Sequence, residues 1–146
     1  MLVDFYELTM GNGYFRQGLE NQIAYFDLFF RKIPENGGVA LCAGLGPFID
    51  YVQNLKFTED DLAFLQKKGF DERFIDYLRN WKFSCDIWAV PEGTPIFPGE
   101  PIMTVRGPVI QAQFIETMAL LLFNHQSLIA TKASRIVRAA QGRPVT

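Results

Sequence analysis

The sequence predicts an α+β fold, and three patterns along its 146 residues support that prediction. A β-branched and aromatic run at 23–30 is typical of a buried strand. The segment 83–107 holds four prolines and three glycines between short apolar runs, as compact β structure with tight turns does. Residues 109–141 contain neither glycine nor proline, which favours one long helix or two. We therefore expect the strand near 23–31 to share a sheet with the segment 83–107.

The first element is predicted to be a helix over residues 4–17. Asp4 stands where a residue caps the helix N-terminus, and Glu7 follows three positions later, as in an acidic variant of a capping box. Gly18 stands where the helix should end, because glycine readily adopts the left-handed conformation found at helix C-termini.

Between this first strand and the β-rich segment, the patterns predict a loop, a short buried strand and three helices. Their ranges in chain order are 34–38 for the loop, 39–43 for the strand, and 46–54, 58–68 and 71–80 for the helices. Thr58 is a suitable N-cap, since three acidic residues follow it and favour a helix N-terminus. We expect the three helices to cover one side of the sheet.

The β-rich segment is predicted to contain strands at 87–90, 94–97 and 101–105. Its turns, in the order E-G-x-P-I-x-P-G-x-P-I, resemble those of the small β-sandwich that lipoyl and biotinyl carriers use. A carrier needs a lysine at a hairpin tip, and the sequence has no lysine between Lys82 and Lys132. The carrier interpretation is therefore disfavoured.

The helical segment after residue 108 is expected to break, if it forms two helices, where capping residues cluster at 124–127. Its apolar positions form a band wider than the stripe of a surface helix, and we expect part of that band to be exposed or hidden by self-association. These positions are Phe114, Ile115, Met118, Leu121, Leu122, Phe123, Leu128, Ile129, Ile136 and Val137. Gly142 and Pro144 end the helical pattern, and residues 144–146 resemble the start of a strand. We expect the chain to be the front part of a larger protein, cut where the next domain begins.

The composition predicts a cytoplasmic protein that binds neither nucleic acid nor membrane. The net charge of −2 gives no electrostatic attraction to phosphate backbones. No apolar run reaches the roughly 20 residues that span a bilayer, and residues 1–4 lack the character of a signal peptide. Cys42 and Cys85 lie far apart and outside any C-x-x-C pair, so we expect reduced thiols.

Few residues in this chain suggest catalysis by themselves. His125 is the only histidine, and its polar neighbours favour a hydrogen-bonded structural role over a catalytic one. The sequence holds no metal-ligand cluster and no phosphate-binding glycine fingerprint, since Gly44-Leu45-Gly46 lacks the third glycine and is interpreted as a turn. We predict no catalytic residue and no metal ligand in the chain.

Four short motifs, taken together and in order, resemble the N-terminal part of the nicotinate phosphoribosyltransferases, which are type II phosphoribosyltransferases. They are D-F-Y-E-L-T-M at 4–10, Y-F-D-L-F-F-R-K at 25–32, the G-T and P-G-E-P pairs within 93–101, and the E-T and A-T-K-A pairs within 116–133. The stretch 113–131 is also similar to the helices that precede the barrel of quinolinate phosphoribosyltransferases, which supports the superfamily and not the substrate.

The resemblance implies a two-domain enzyme of NAD biosynthesis. It makes nicotinate mononucleotide from nicotinate and phosphoribosyl pyrophosphate, uses Mg²⁺, and couples the reaction to ATP hydrolysis through a phosphorylated histidine in a β/α barrel. On this basis residues 1–108 are the N-terminal α/β domain, and residues 109–146 are helices leading into a barrel that this chain lacks. We expect the isolated chain to be inactive and to bind neither Mg²⁺ nor ATP. Nicotinamide and quinolinate remain alternative substrates, and a non-catalytic binding or assembly module remains an alternative function.

The same resemblance implies a homodimer in which each N-terminal domain lends residues to the partner's barrel. Tyr6 matches the position that stacks on the pyridine ring, Asp4 lies beside it, and Arg31 matches a basic residue that reaches the partner's phosphates. Each also has a structural alternative. Asp4 could serve only as a helix cap, Tyr6 only as an interface aromatic, and Arg31 only as the partner of Asp27 on the strand.

Overall fold

The computed structural model describes residues 1–145, and for Asn36 the backbone alone. It confirms the predicted α+β class. The elements in chain order are α1 (Phe5–Arg16), β1 (Ile23–Phe29), a single 3₁₀ turn (Pro34–Asn36), β2 (Ala40–Leu41), α2 (Leu45–Gln53), α3 (Glu59–Lys67), α4 (Glu72–Arg79), β3 (Asp86–Ala89), β4 (Pro95–Ile96), β5 (Pro101–Pro108), α5 (Val109–Gln113) and α6 (Glu116–Ala140). The 3₁₀ turn occupies the predicted loop.

The strands form one antiparallel sheet in the order β1-β5-β3 and a separate ribbon of β2 with β4. The prediction that strand 23–31 pairs with the segment 83–107 is therefore confirmed. Phe26 pairs with Val105, and Val105 pairs with Ile87 on its other side. Gly93 and Gly99 adopt φ values of +81° and +80° in the two turns, which only glycine adopts without strain.

Two hydrophobic clusters share the interior. The first joins the sheet to α2 and α6, with Phe48, Val105 and Phe123 among its members. The second joins α1, α3, α4 and α5 around Phe74 and Phe114. Of the three helices expected over the sheet, only α2 packs in the cluster that contains it, so the prediction is wrong for α3 and α4, whose apolar faces pack against α1 and α5 instead.

The helical segment breaks at 114–115 and not at 124–127. Phe114 and Ile115, at the break, are adjacent and almost fully buried, and they pack into different clusters. At the expected break, Asn124 and His125 are exposed. The Ser127 hydroxyl hydrogen-bonds the backbone of Ala43, which follows β2. Because these side chains do not hydrogen-bond the backbone of the helix at this point in place of its own carbonyl groups, the helix continues through them.

Helix ends differ from prediction at one place. Asp4 has the extended backbone of an N-cap, but its side chain makes no capping bond, and Glu7 does not return to it. The reciprocal capping box is found at Thr58 and Asp61. Gly18 takes the predicted left-handed conformation at the end of α1.

After α6, Gln141 and Gly142 both have positive φ, which confirms the predicted helix stop. Residues 143–145 form no strand, and the last residue of the expected strand start, Thr146, lies outside the described residues.

Other sequence predictions concern isolated residues. Cys42 and Cys85 are both free thiols, as predicted. The His125 side chain is exposed and forms no hydrogen bond within residues 1–145, so the predicted hydrogen-bonded structural role is wrong. Across the same residues, no helix combines the length and the apolar character that crossing a bilayer requires.

Candidate functional site

The N-terminus of α1 is fastened to the first turn of α6 through one hydroxyl. Thr117 Oγ1 accepts a hydrogen bond from the backbone N–H of Asp4 at 3.1 Å. The same hydroxyl donates to Glu7 Oε1 at 2.6 Å, a short distance typical of a bond to a carboxyl oxygen. We call the group Asp4, Tyr6, Glu7, Glu116 and Thr117 the α1–α6 junction.

Glu7 is the buried carboxyl of this junction, with none of its surface exposed. Burial raises the pKa of Glu7 from 4.5 to about 7, and the nearby charges of Glu116 and Asp4 add to the increase, while the bond from Thr117 opposes it. Glu7 Oε2 has no hydrogen-bond partner among the described residues. A carboxyl in this position therefore keeps its proton to a much higher pH than an ordinary glutamate.

Tyr6 projects from the junction and remains 45% exposed. Partial burial and the carboxylate of Glu116 raise the pKa of Tyr6 to about 12, with smaller contributions from Glu7 and Asp4. The hydroxyl therefore stays protonated at neutral pH. Asp4 is exposed beside it. The structure thus brings two of the three predicted substrate-binding residues together.

Arg31 lies elsewhere, in the bend that follows β1, and its side chain is exposed. Its neighbour Phe30 is buried and accepts a bond from Gly99 N–H at 2.8 Å, which fixes the bend. Among the described residues Asp27 forms no ion pair with Arg31, and its carboxylate accepts a bond from Thr104 at 2.6 Å. The structural alternative for Arg31 is therefore wrong, and within residues 1–145 its guanidinium enters no ion pair.

The loop after Arg31 is held by the C-terminal half of α6. Arg135 Nη1 lies 3.2 Å from Glu35 Oε2, and Glu35 has a φ of +60°. Arg135 also crosses Gly37 so closely that a Cβ atom there would lie 2.2 Å from Nη2. Only glycine therefore fits at position 37 with the arginine in place.

An open apolar cleft of about 220 Å³ separates β1 from α5 and α6. It is lined by Phe26, Leu28, Met103 and other apolar side chains, with Asp27 and Glu116 as its two carboxylates. Because Glu116 also faces Tyr6, the cleft adjoins the α1–α6 junction.

The sequence did not single out Glu7 and Thr117 as parts of a site. The sequence offered one signal, the spacing of four residues between Glu7 and Gly11, which places them on the same face of a helix. In the structure Gly11 is buried against Phe114, so this face points inward. Nothing in the sequence pattern indicates that Thr117 reaches it across 110 positions.

No group of three or more histidine, cysteine, aspartate or glutamate side chains within the described part of the chain is arranged to hold a metal ion. The described residues therefore form no all-protein cage for Mg²⁺, an ion that proteins often bind through one or two carboxylates together with substrate phosphates. The described residues offer a half-exposed aromatic side chain with flanking carboxylates, and a separate exposed arginine.

A sequence model described as the nicotinate phosphoribosyltransferase N-terminal domain matches residues 1–124. The chain belongs to the nicotinate phosphoribosyltransferase family. It is 48% identical over 134 residues to a nicotinate phosphoribosyltransferase of Bacillus subtilis and 40% identical over 146 residues to one of Mycobacterium tuberculosis. The crystal structure of human nicotinic acid phosphoribosyltransferase superposes on 99% of the chain with a TM-score of 0.89 and 36% identity.

The chain spans only part of these nicotinate phosphoribosyltransferases. It covers 27% of the Bacillus subtilis relative and 31% of the Mycobacterium tuberculosis one, although these alignments use 91% and 99% of the chain. The human structure is covered to 30%.

Proposed function

We propose that the protein carrying this chain is a cytoplasmic, homodimeric nicotinate phosphoribosyltransferase of NAD biosynthesis. It joins nicotinate to the ribose of phosphoribosyl pyrophosphate, forming nicotinate mononucleotide and releasing pyrophosphate, with ATP hydrolysis coupled to the reaction. The observation that carries the proposal is the 40% identity with a nicotinate phosphoribosyltransferase across 99% of the chain. Residues 109–146 then lead from the N-terminal domain, 1–108, into the barrel.

This reaction needs groups that this chain supplies only in part. The ribose carbon develops positive charge as pyrophosphate leaves, so cations must surround the phosphate oxygens and the pyridine must be held in line. Tyr6 stacks on the pyridine ring, and Asp4 lies beside the ribose. Arg31 binds a phosphate through its planar fork of donors. We assign Mg²⁺ and ATP to the remainder of the protein.

Exposed apolar surface supports a shared site between two subunits. Tyr25, Phe29 and Trp88 on the outer face of the sheet are 65%, 45% and 55% exposed. Along α6, Leu121, Ile129 and Val137 are 51%, 58% and 58% exposed. Surface of this extent is typical of a face covered by a partner or by another domain.

The first experiment measures the activity of the full-length protein. With phosphoribosyl pyrophosphate, ATP and Mg²⁺, we expect nicotinate to be converted and nicotinamide and quinolinate to be poor substrates. Preference for either of those two would reassign the substrate, and inactivity with all three would favour a binding or assembly module. The isolated 146-residue chain should be inactive.

The second experiment tests the shared site. Subunits carrying Tyr6→Ala or Arg31→Ala are mixed with subunits that are inactive through a barrel substitution. Because each site would draw on both chains, hybrid dimers should regain one intact site. If hybrids form and no activity returns above that of either homodimer, Tyr6 and Arg31 do not act across the interface.

A further inference from the structure

Thr117 lies at the centre of the α1–α6 junction, and its hydroxyl both accepts and donates a hydrogen bond there. It accepts from the N–H of Asp4 and donates to Glu7, at 3.1 and 2.6 Å. Asp4 and Glu7 lie on either side of Tyr6 in the sequence, so both bonds act on the turn that carries the tyrosine. The N–H of Glu7 bonds the carbonyl of Asp4 at 3.1 Å, which closes the turn.

The other contacts that reach this turn act on its side chains: the Phe5 ring packs edge-on against Phe70 at 5.9 Å, and the Tyr6 hydroxyl hydrogen-bonds Glu116. The Asp4 side chain accepts no hydrogen bond from the free backbone N–H groups of the first turn. Side-chain capping therefore does not fix the start of the helix. Phe5 and Tyr6 are both about half exposed. After Glu7, the next buried side chain on α1 is Leu8, which lies beyond Tyr6 and not at the start of the helix.

We propose that Thr117 and Glu7 are positioning residues that hold the Asp4–Glu7 turn on α6 and thereby fix the angle at which Tyr6 presents its ring. This inference rests on the proposed function, in which Tyr6 contacts the pyridine. Neither Thr117 nor Glu7 touches substrate. They act through Tyr6, so their removal should alter pyridine binding more than phosphoribosyl pyrophosphate binding.

The groups facing Glu7 agree with this role. Asp4 and Tyr6 face it from α1, Glu116 from α6 and Tyr51 from α2, and none of them is cationic. Burial raises the pKa of Glu7 to about 7, so its neutral form is accessible without a paired cation. A neutral carboxyl still accepts from Thr117 through Oε1, and the positioning contact does not depend on charge.

The test uses the full-length protein with Thr117→Val, which removes both hydrogen bonds while keeping the side-chain shape. Thr104→Val is the matched control, because Thr104 also donates to a carboxylate at 2.6 Å, but on β5. We expect Thr117→Val to raise the KM for nicotinate about threefold to tenfold, the range that loss of one or two net hydrogen bonds produces. The KM for phosphoribosyl pyrophosphate should change less than about twofold, and Thr117→Ser should restore wild-type values.

A double substitution separates positioning from general loss of structure. In a Tyr6→Ala background, Thr117→Val should add no further increase in the KM for nicotinate, because the ring it positions is gone. An equal increase in both backgrounds would overturn the proposal, as would an unchanged KM in a folded Thr117→Val protein.

Hydrogen exchange gives a reading that needs no activity. In the wild-type protein the Asp4 amide should be protected, although it precedes α1, and Thr117→Val but not Thr104→Val should expose it. An unprotected Asp4 amide in the wild-type protein overturns the proposal even if Thr117→Val fails to fold. If the protein proves inactive on nicotinate while this exchange pattern holds, the proposed function fails and the positioning contact stands.

Discussion

The regions around Tyr6 and Arg31 both carry predicted substrate contacts, but they differ in how this chain supports them. Tyr6 stands on a turn tied to α6 by Thr117, beside a fully buried carboxyl and above a packed aromatic cluster. Arg31 stands on an exposed bend, and its guanidinium enters no ion pair within residues 1–145. Contacts within the chain therefore hold the turn that carries Tyr6, whereas within residues 1–145 no ion pair holds the Arg31 guanidinium. Changes near Tyr6 should therefore affect folding and binding together, and changes at Arg31 should affect binding alone.

Removing the aromatic support beneath α1 should have the largest effect. The Phe114 ring is fully buried, and it packs against Gly11 of α1 and against the Phe57 and Trp81 rings at centroid distances of 5.8 and 6.2 Å. Phe114→Ala should lower the free energy of unfolding by about 3–5 kcal/mol, measured by denaturant titration. Phe64→Ala, which truncates a 49% exposed ring on α3, is the control and should cost less than about 1 kcal/mol. Similar losses for the two variants would contradict the assignment of Phe114 to the support of α1.

The buried carboxyl of Glu7 should make stability depend on pH. Its pKa is raised from 4.5 to about 7, so the unfolded chain loses the proton first as pH rises. The stabilising contribution is therefore complete below about pH 4.5 and is lost progressively up to about pH 7. Glu7→Gln should remove this slope and raise stability at pH 8 by up to about 3 kcal/mol. The free energy of unfolding, measured at pH 5 and pH 8, tests this expectation. Glu72→Gln, a change at an exposed glutamate, is the control and should retain the wild-type dependence on pH.

At Arg31 the expected loss is in phosphate binding and not in folding. Arg31→Ala should weaken phosphoribosyl pyrophosphate binding by about 1.5–3 kcal/mol, since a hydrogen bond to a charged group contributes that much. Its free energy of unfolding should stay within about 0.5 kcal/mol of wild type. Arg31→Lys keeps the charge without the planar fork and should recover binding only in part. Kinetics with each substrate varied in turn measures this, and an equal change in the KM for nicotinate would count against a phosphate role.

Tyr6→Ala should have the smallest effect of the series, weakening nicotinate binding by about 1–2 kcal/mol through lost stacking and burial. Tyr6→Phe keeps the ring and loses only the hydroxyl, so it should bind nicotinate nearly as the wild type does. Steady-state kinetics with nicotinate varied provides the measurement. A Tyr6→Phe protein as impaired as Tyr6→Ala would assign the role to the hydroxyl beside Glu116 and not to the ring face.

Local patterns in the sequence were sufficient for most of the fold. The aromatic strand, the Thr58 cap, the turn glycines and the end of α6 all depend on neighbouring residues, and the structure confirms them. The break at 114–115 could not be predicted in this way, because no glycine, proline or capping residue marks that point of the sequence. The same holds for α3 and α4, whose partners are set by tertiary packing.

In the candidate site, too, some residues could be predicted from the sequence and others could not. Asp4, Tyr6 and Arg31 were reached through a resemblance of short motifs, and the structure brings the first two together. Glu7 was predicted to be a capping residue, and Thr117 had no predicted role, because the bond that joins them spans 110 positions. A buried carboxyl whose partner lies so far along the chain leaves no periodic signal in the sequence.

Helix α6 runs without interruption from Glu116 to Ala140, with Thr117 in its first turn and Arg135 near its end. Its two contacts with the regions compared above are about 27 Å apart along the axis. In an α-helix each residue advances the chain by about 1.5 Å and turns it by about 100°. A single residue inserted between Thr117 and Arg135 would swing the arginine about a quarter-turn away from Gly37. The number of residues in α6 thus sets the rotation between the turn that carries Tyr6 and the loop that follows Arg31. We expect the segment to tolerate substitutions far better than changes in length.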